Sequence, residues 1–371
     1  MRNMKINKTL AYFLILLLML VFACGCIVLQ HFVDVRTESA AAVPPRPERG
    51  DMYNNYGLKN NAELSDEIVA ASDGRVVFTD RIIVLEEAAA GNVQYAAETA
   101  QAILSAVPEI DSIYIMPIPE RAVFEKGFES FRASYGAFIS ELTSAVGANV
   151  TVIDPVSELD KRSDEFIFYR TENSWTMRGA FYAMQAFRAA IGYEADDLNA
   201  YRTYMLGDFY GDAYTALLSD NSDPEVSEAL SLMPSDPFYI YLIGSNPNRE
   251  TLTFENKNDE VQTEKRRTIQ LNGYGPSAVI GGSYLHSVID GRGEGSILFI
   301  TDSAGDMLIS YLSEIYEKIY AVSVLHDESF SQDIAAICER YDIHSVLWAQ
   351  LQPRLGSSSY MRALNGLDGA A

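Results

Sequence analysis

Residues 297–312 read Ile-Leu-Phe-Ile-Thr-Asp-Ser-Ala-Gly-Asp-Met-Leu-Ile-Ser-Tyr-Leu. An apolar quartet is followed by a polar break at Thr301, Asp302 and Ser303. Met307, Ile309, Tyr311 and Leu312 then recur at helix-compatible spacing. A quartet with no polar alternation suits a parallel strand covered on both faces. A strand passing at once into a helix is the unit of an α/β sheet. It places Ser303 at the carboxyl end of that strand, where open α/β sheets keep their crevices. The N–H groups that open the next helix can stabilise an oxyanion. A serine hydroxyl is a weak nucleophile, so such a site needs a base beside it. Without one, Ser303 is a turn or capping residue.

The rest of the chain repeats this rhythm. Val76-Val-Phe is a predicted short strand after the turn Ser72-Asp-Gly-Arg. Val93, Ala96, Ala97, Ala100, Ile103, Leu104 and Val107 recur at helical spacing and stop before Pro108. Strands are predicted at 113–117, 150–153 and 166–169, and helices over 131–146 and 176–190. After residue 297, strands at 319–322 and 345–348 alternate with helices at 306–316 and 330–341. The pattern predicts a three-layer α/β fold with largely parallel strands and helices on both faces. Residues 198–276 break the rhythm and read as an insertion of irregular and β-hairpin structure.

Residues 10–30 form an almost uninterrupted apolar run, long enough to cross a bilayer as a helix. Arg2, Lys5 and Lys8 precede it, and Asp34 and Glu38 follow. The positive-inside rule then puts residues 1–9 in the cytoplasm and the bulk of the chain outside. A cleaved signal peptide is the rival reading, but no small-residue cleavage site follows the run. The expected organisation is anchor 10–30, a proline-bearing linker 31–64, a domain 65–355 carrying the insertion, and a tail 356–371. The 28 basic against 51 acidic residues give a formal charge of −23, which excludes a nucleic-acid backbone as partner. Cys24 and Cys26 lie in the apolar run, so Cys338 has no partner in the domain and reads as a small core residue. No residues show metal-ligand spacing, and no cofactor or metal is expected.

Residues 169–180 read Tyr-Arg-Thr-Glu-Asn-Ser-Trp-Thr-Met-Arg-Gly-Ala, a polar turn opening a helix with Ser174 or Thr176 as N-cap. This stretch resembles the Thr-Asp-x-His-Trp-Thr motif of the DHHW family and the related alginate O-acetylation proteins. Asp73-Gly-Arg-Val-Val-Phe, the strand at 113–119 ending in proline, Phe209-Tyr-Gly, Gly281-Gly-Ser and Asp302-Ser-Ala-Gly resemble further blocks of that family, in the same order. Together they span residues 72–351. The resemblance implies an SGNH-hydrolase-like, flavodoxin-like sheet with a rearranged strand order. It also implies work on cell-envelope or exopolysaccharide acetylation, with a glycan or an acetylation-system protein as partner.

Carried across residue by residue, the match departs where chemistry is done. The family's Asp falls on Glu172, its His on Ser174, and the Asn of its Gly-Gly-Asn on Ser283. Trp175, Thr176, Asp302, Ser303 and Gly305 are kept. An imidazole suits the base role because its pKa lies near working pH, and the Ser174 hydroxyl cannot replace it. Of the histidines, His31, His286, His326 and His344, only His286 follows a loop that the resemblance puts near the site. The expectation is a degenerate site: Ser303 as vestigial nucleophile, Glu172 and Ser174 at the family positions, and Trp175, Ser283, Asp302 and Gly305 as binding residues. The alternative is a serine esterase or O-acetyltransferase using Glu172 or His286 as an unorthodox base.

Overall fold

The computed structural model describes residues 64–72, 74–220, 223–242, 252–255, 261–264, 275–279, 286–324 and 334–357. All of them fall in one compact unit, residues 47–371. Among the described residues no helix is long and apolar enough to cross a membrane. The apolar run at 10–30 lies outside the described residues.

The strands, in chain order, are β1 (Ile68–Ser72), β2 (Arg75–Phe78), β3 (Ile82–Val84), β4 (Ser112–Ile118), β5 (Val150–Val152), β6 (Arg202–Phe209) and β7 (Asp236–Leu242). They continue with β8 (Leu252–Glu255), β9 (Val261–Glu264), β10 (His286–Asp290), β11 (Ser296–Thr301), β12 (Lys318–Ser323) and β13 (Ile343–Leu351). The helices are α1 (Asn92–Ala106), α2 (Glu129–Ala145), α3 (Val156–Asp160), α4 (Met177–Ala190), α5 (Asp212–Asp220), α6 (Pro224–Leu232), α7 (Ile309–Leu312) and α8 (Ile334–Tyr341).

The central sheet has the order β5-β4-β13-β11-β12-β10-β8-β9. Its first five strands are parallel, and β10, β8 and β9 continue it antiparallel. β11 lies in the middle of the parallel block, and Ile297, Leu298, Phe299 and Ile300 are fully buried. Burial on both faces is why the stretch carries no polar alternation. Leu298 and Ile300 face a core shared with α1, α2 and α8, while Ile297 and Phe299 face one shared with α3, α4 and α7. The expected three-layer α/β architecture is present. The parallel block does not follow the flavodoxin order, because the last strand, β13, inserts between β4 and β11, in keeping with the rearranged strand order that the resemblance implies.

Other expectations need correction. Residues 166–169 are not a strand; Phe168 makes a single bridge with Trp175. The helix expected over 306–316 is a 3₁₀ turn, Gly305–Leu308, running into the one-turn α7. The insertion is more regular than expected. It carries the antiparallel pair β6–β7 and the helices α5 and α6, while β8 and β9 extend the central sheet.

Candidate functional site

Two polar turns meet at the carboxyl end of the parallel strands. The first follows β11. Asp302 is fully buried, and its Oδ1 accepts the N–H groups of Ala304 and Gly305 at 3.0 and 3.1 Å. Its Oδ2 accepts the N–H of Leu351, at the end of β13, at 3.0 Å. Burial raises the Asp302 carboxyl above its ordinary pKa, against the pull of those donors. This carboxyl bends the chain so that Ser303 is exposed while residues on either side are buried. Gly305 permits the bend, because a Cβ there would lie 2.1 Å from Thr301 Oγ1 and 2.6 Å from the Ala349 carbonyl.

The second turn, residues 170–175, precedes α4. Asp236 at the start of β7 is fully buried and holds it from below. Its carboxylate accepts the Arg170 N–H at 2.8 Å, the Thr171 N–H at 2.7 Å and the Thr171 hydroxyl at 2.5 Å. Arg121 donates to the Tyr169 carbonyl at 2.8 Å from the other side. Thr176 is the N-cap, accepting the Gly179 N–H at 3.2 Å. Trp175, fully buried, donates its indole N–H to the Ala304 carbonyl at 2.9 Å. That bond joins the two turns, so Trp175 is a brace behind the site rather than a stacking platform on it.

The cleft between the turns has a volume of about 280 Å³. Glu172, Ser174, Ser303 and Asp306 line it, with Phe209, Tyr210, Gly211 and Asp212 on one wall and Pro276, Ser277 and Val279 on another. Three residues singled out from the sequence, Ser303, Glu172 and Ser174, therefore share one surface. Asp302, Gly305 and Trp175 stand behind it. Ser283 lies outside the described residues, as does the side chain of His286. The His286 backbone pairs with Val322, which pairs with Ile300, so it sits at the Ser303 end of the sheet, two strands away.

The Ser303 and Ser174 hydroxyls have no hydrogen-bond partner among the described residues. Glu172 is tied down. Its Oε1 accepts the Asn173 N–H at 3.0 Å and its Oε2 the Asp212 N–H at 2.6 Å, and burial raises its pKa. Gly211 lets the Tyr210 loop come this close, since a Cβ there would lie 2.5 Å from Glu172 Cβ. The expected oxyanion donors after Ser303 are also taken: the Ala304 and Gly305 N–H groups point at Asp302. His344 is excluded as a base. It is the second residue of β13, at the opposite end of the sheet, bonded to the Glu109 carbonyl and Asp342. His31 and His326 lie outside the described residues.

Sequence reasoning missed three carboxyls. Asp236 sits in an Asp-Pro pair, a turn signal that went unread as a site support. Glu120 follows β4 and accepts the Asn173 side-chain amide, and burial pushes its pKa up to about 8. Asp306 lies three residues past Ser303, is 8% exposed and lines the cleft. Burial and the Asp302 charge raise its carboxyl well above the ordinary range.

The fold is shared with solved structures. A DHHW family protein from Eubacterium siraeum is 19% identical, with 81% of this chain and 96% of that chain covered, at a TM-score of 0.65. PatB1 of Bacillus cereus, solved with a sulfonyl adduct, is 12% identical over 78% of this chain and 98% of that chain, at 0.60. The O-acetyltransferase domain of Pseudomonas putida AlgJ is a looser likeness, 14% identical over 80% and 99%, at 0.46. No curated protein sequence matches. The family model described as DHHW protein matches residues 136–322, just over half of the sequence, and the chain belongs to the DHHW family.

Proposed function

We propose that this is a membrane-anchored, extracytoplasmic DHHW protein with a degenerate catalytic site. It serves cell-envelope or exopolysaccharide acetylation by binding a glycan rather than by turning over esters. The carrying observation is the Ser303 hydroxyl. It stands exposed on the cleft with no hydrogen-bond partner among the described residues, opposite a serine where the family pattern has its imidazole. Glu172 keeps the family's carboxyl, but its oxygens serve backbone N–H groups and do not orient a base. Losing the histidine of a triad costs several orders of magnitude in rate.

The second reading, an active carbohydrate O-acetylesterase or acetyltransferase, is favoured by one observation. The β10 register brings His286 to the same end of the sheet. Full-length protein in detergent, assayed with an activated acetyl ester, separates the two. The degenerate site predicts a rate that Ser303→Ala leaves unchanged. Restoring the imidazole with Ser174→His is then expected to create Ser303-dependent turnover, about 100-fold or more above the parent. Turnover by the unaltered protein that disappears in Ser303→Ala would establish the enzyme instead.

A further inference from the structure

The lining of the cleft is one-sided in charge. Glu172, Asp212 and Asp306 contribute carboxyls, and among the described lining residues there is no Lys, Arg or His. These carboxyls differ in how the chain treats them. Glu172 holds two backbone N–H groups, and Asp212 is exposed to water. Just behind the lining, Asp302 holds three N–H groups. Asp306 is more than nine-tenths buried, faces the cleft, and has no hydrogen bond or ion pair to its carboxyl among the described residues. With no donor from the described residues, the Asp306 oxygens take their hydrogen bonds from whatever fills the cleft, water or a ligand.

We infer that the cleft takes an amino-sugar unit bearing a free ammonium, with Asp306 as the residue that pairs with it. The size suits this occupant, since about 280 Å³ is the scale of one sugar ring rather than a long ligand. The Ser174 and Ser303 hydroxyls and the Tyr210 ring offer the mixed polar and flat surface that a sugar presents in turn. An ammonium brings the N–H donors and the opposite charge that Asp306 lacks, and such charge-assisted hydrogen bonds are the stronger kind. A metal cation fits less well, because no group of His, Cys, Asp or Glu among the described residues is spaced to hold one. An acidic sugar is disfavoured, as its carboxylate would enter among like charges. The formal charge of −23 acts in the same direction over the whole molecule.

This inference rests on reading the cleft as a glycan site, and the test keeps the two apart. Full-length protein in detergent is titrated calorimetrically near neutral pH, where an amine can draw the proton from the raised Asp306 carboxyl, with three tetrasaccharides: β-1,4-glucosamine, its fully N-acetylated form, and mannuronate. The free-amine oligomer is expected to bind about 10-fold tighter than the N-acetylated one, and the uronate weakest. Asp306→Asn, nearly isosteric and uncharged, is expected to erase the amine preference while keeping the N-acetylated oligomer's affinity. Equal affinities, a preference for uronate, or an amine preference that survives Asp306→Asn would overturn the inference and leave the glycan site standing. No binding of any saccharide would overturn both. Should Asp306→Asn fail to fold, Asp306→Ser is titrated in its place, and an amine preference that survives there overturns the inference.

Discussion

At the scale of single residues, the site is built by buried carboxyls that hold backbone rather than substrate. Asp302, Asp236 and Glu172 each spend their oxygens on N–H groups of the turns. Glu120 is different: its partner is the Asn173 side chain, its neighbours are Glu86 and Arg354, and burial lifts its pKa from 4.5 to about 8. An acid raised on folding binds more protons folded than unfolded, so stability falls as pH rises through that interval. The contribution is complete below about 4.5 and lost above about 8. Glu120→Gln cannot ionise and keeps an acceptor for Asn173. Thermal melts across this pH window should show a smaller fall in Tm for the variant. A residual slope is expected from Asp302, Asp236, Glu172 and Asp306, whose pKa values are raised in the same direction. An unchanged slope would mean that Glu120 is not the group titrating.

At the scale of elements, the turn after β11 and the turn before α4 are joined by the Trp175 indole, and the Tyr311 hydroxyl ties the helix behind them to the Met177 carbonyl. Trp175→Phe keeps one aromatic ring but removes the indole donor to the Ala304 carbonyl and part of a fully buried side chain. It should cost ~2–3 kcal/mol in urea unfolding, from the unpaired acceptor and the cavity together. Gly305→Ala should cost as much, ~3 kcal/mol, because Thr301 and the Ala349 carbonyl occupy the space of its Cβ. A Gly305→Ala protein as stable as its parent would show that the bend after β11 is looser than its packing implies. The β11 strand-to-turn passage was legible in the sequence because a strand buried on both faces has a simple apolar signature. Residues 166–169 carry the same signature for another reason. Phe166, Ile167, Phe168 and Tyr169 are buried, but Arg121, Thr176 and Asp236 pin the segment through bonds that no periodicity records. Ser303, Glu172 and Ser174 were legible as a set by resemblance to a motif. Asp306 was not, because what distinguishes it is the donor it lacks, and that is visible only once the chain is folded. The α6 start did have a signal, Asp223 capping with Pro224 at the first position, inside a segment read as irregular.

At the scale of the whole molecule, the parallel block of the sheet is covered on both faces, and no described helix is long and apolar enough to cross a membrane. Attachment to a membrane would then fall to residues 10–30. The acidic chain would gain nothing from an anionic lipid surface, so no electrostatic attraction stands in for that segment. The proposed outer-face location therefore makes a sharp prediction. Full-length protein should remain in the membrane pellet after alkaline carbonate washing, and a chain starting at Asp51 should appear in the soluble fraction. Protease added to the outer face of intact cells should cut the pelleted protein and spare a cytoplasmic control. An N-terminal mass that begins beyond residue 30 would identify a cleaved leader. Protection of the domain from external protease would place the cleft on the wrong side of the membrane for any envelope glycan, and the proposed function would fall with it.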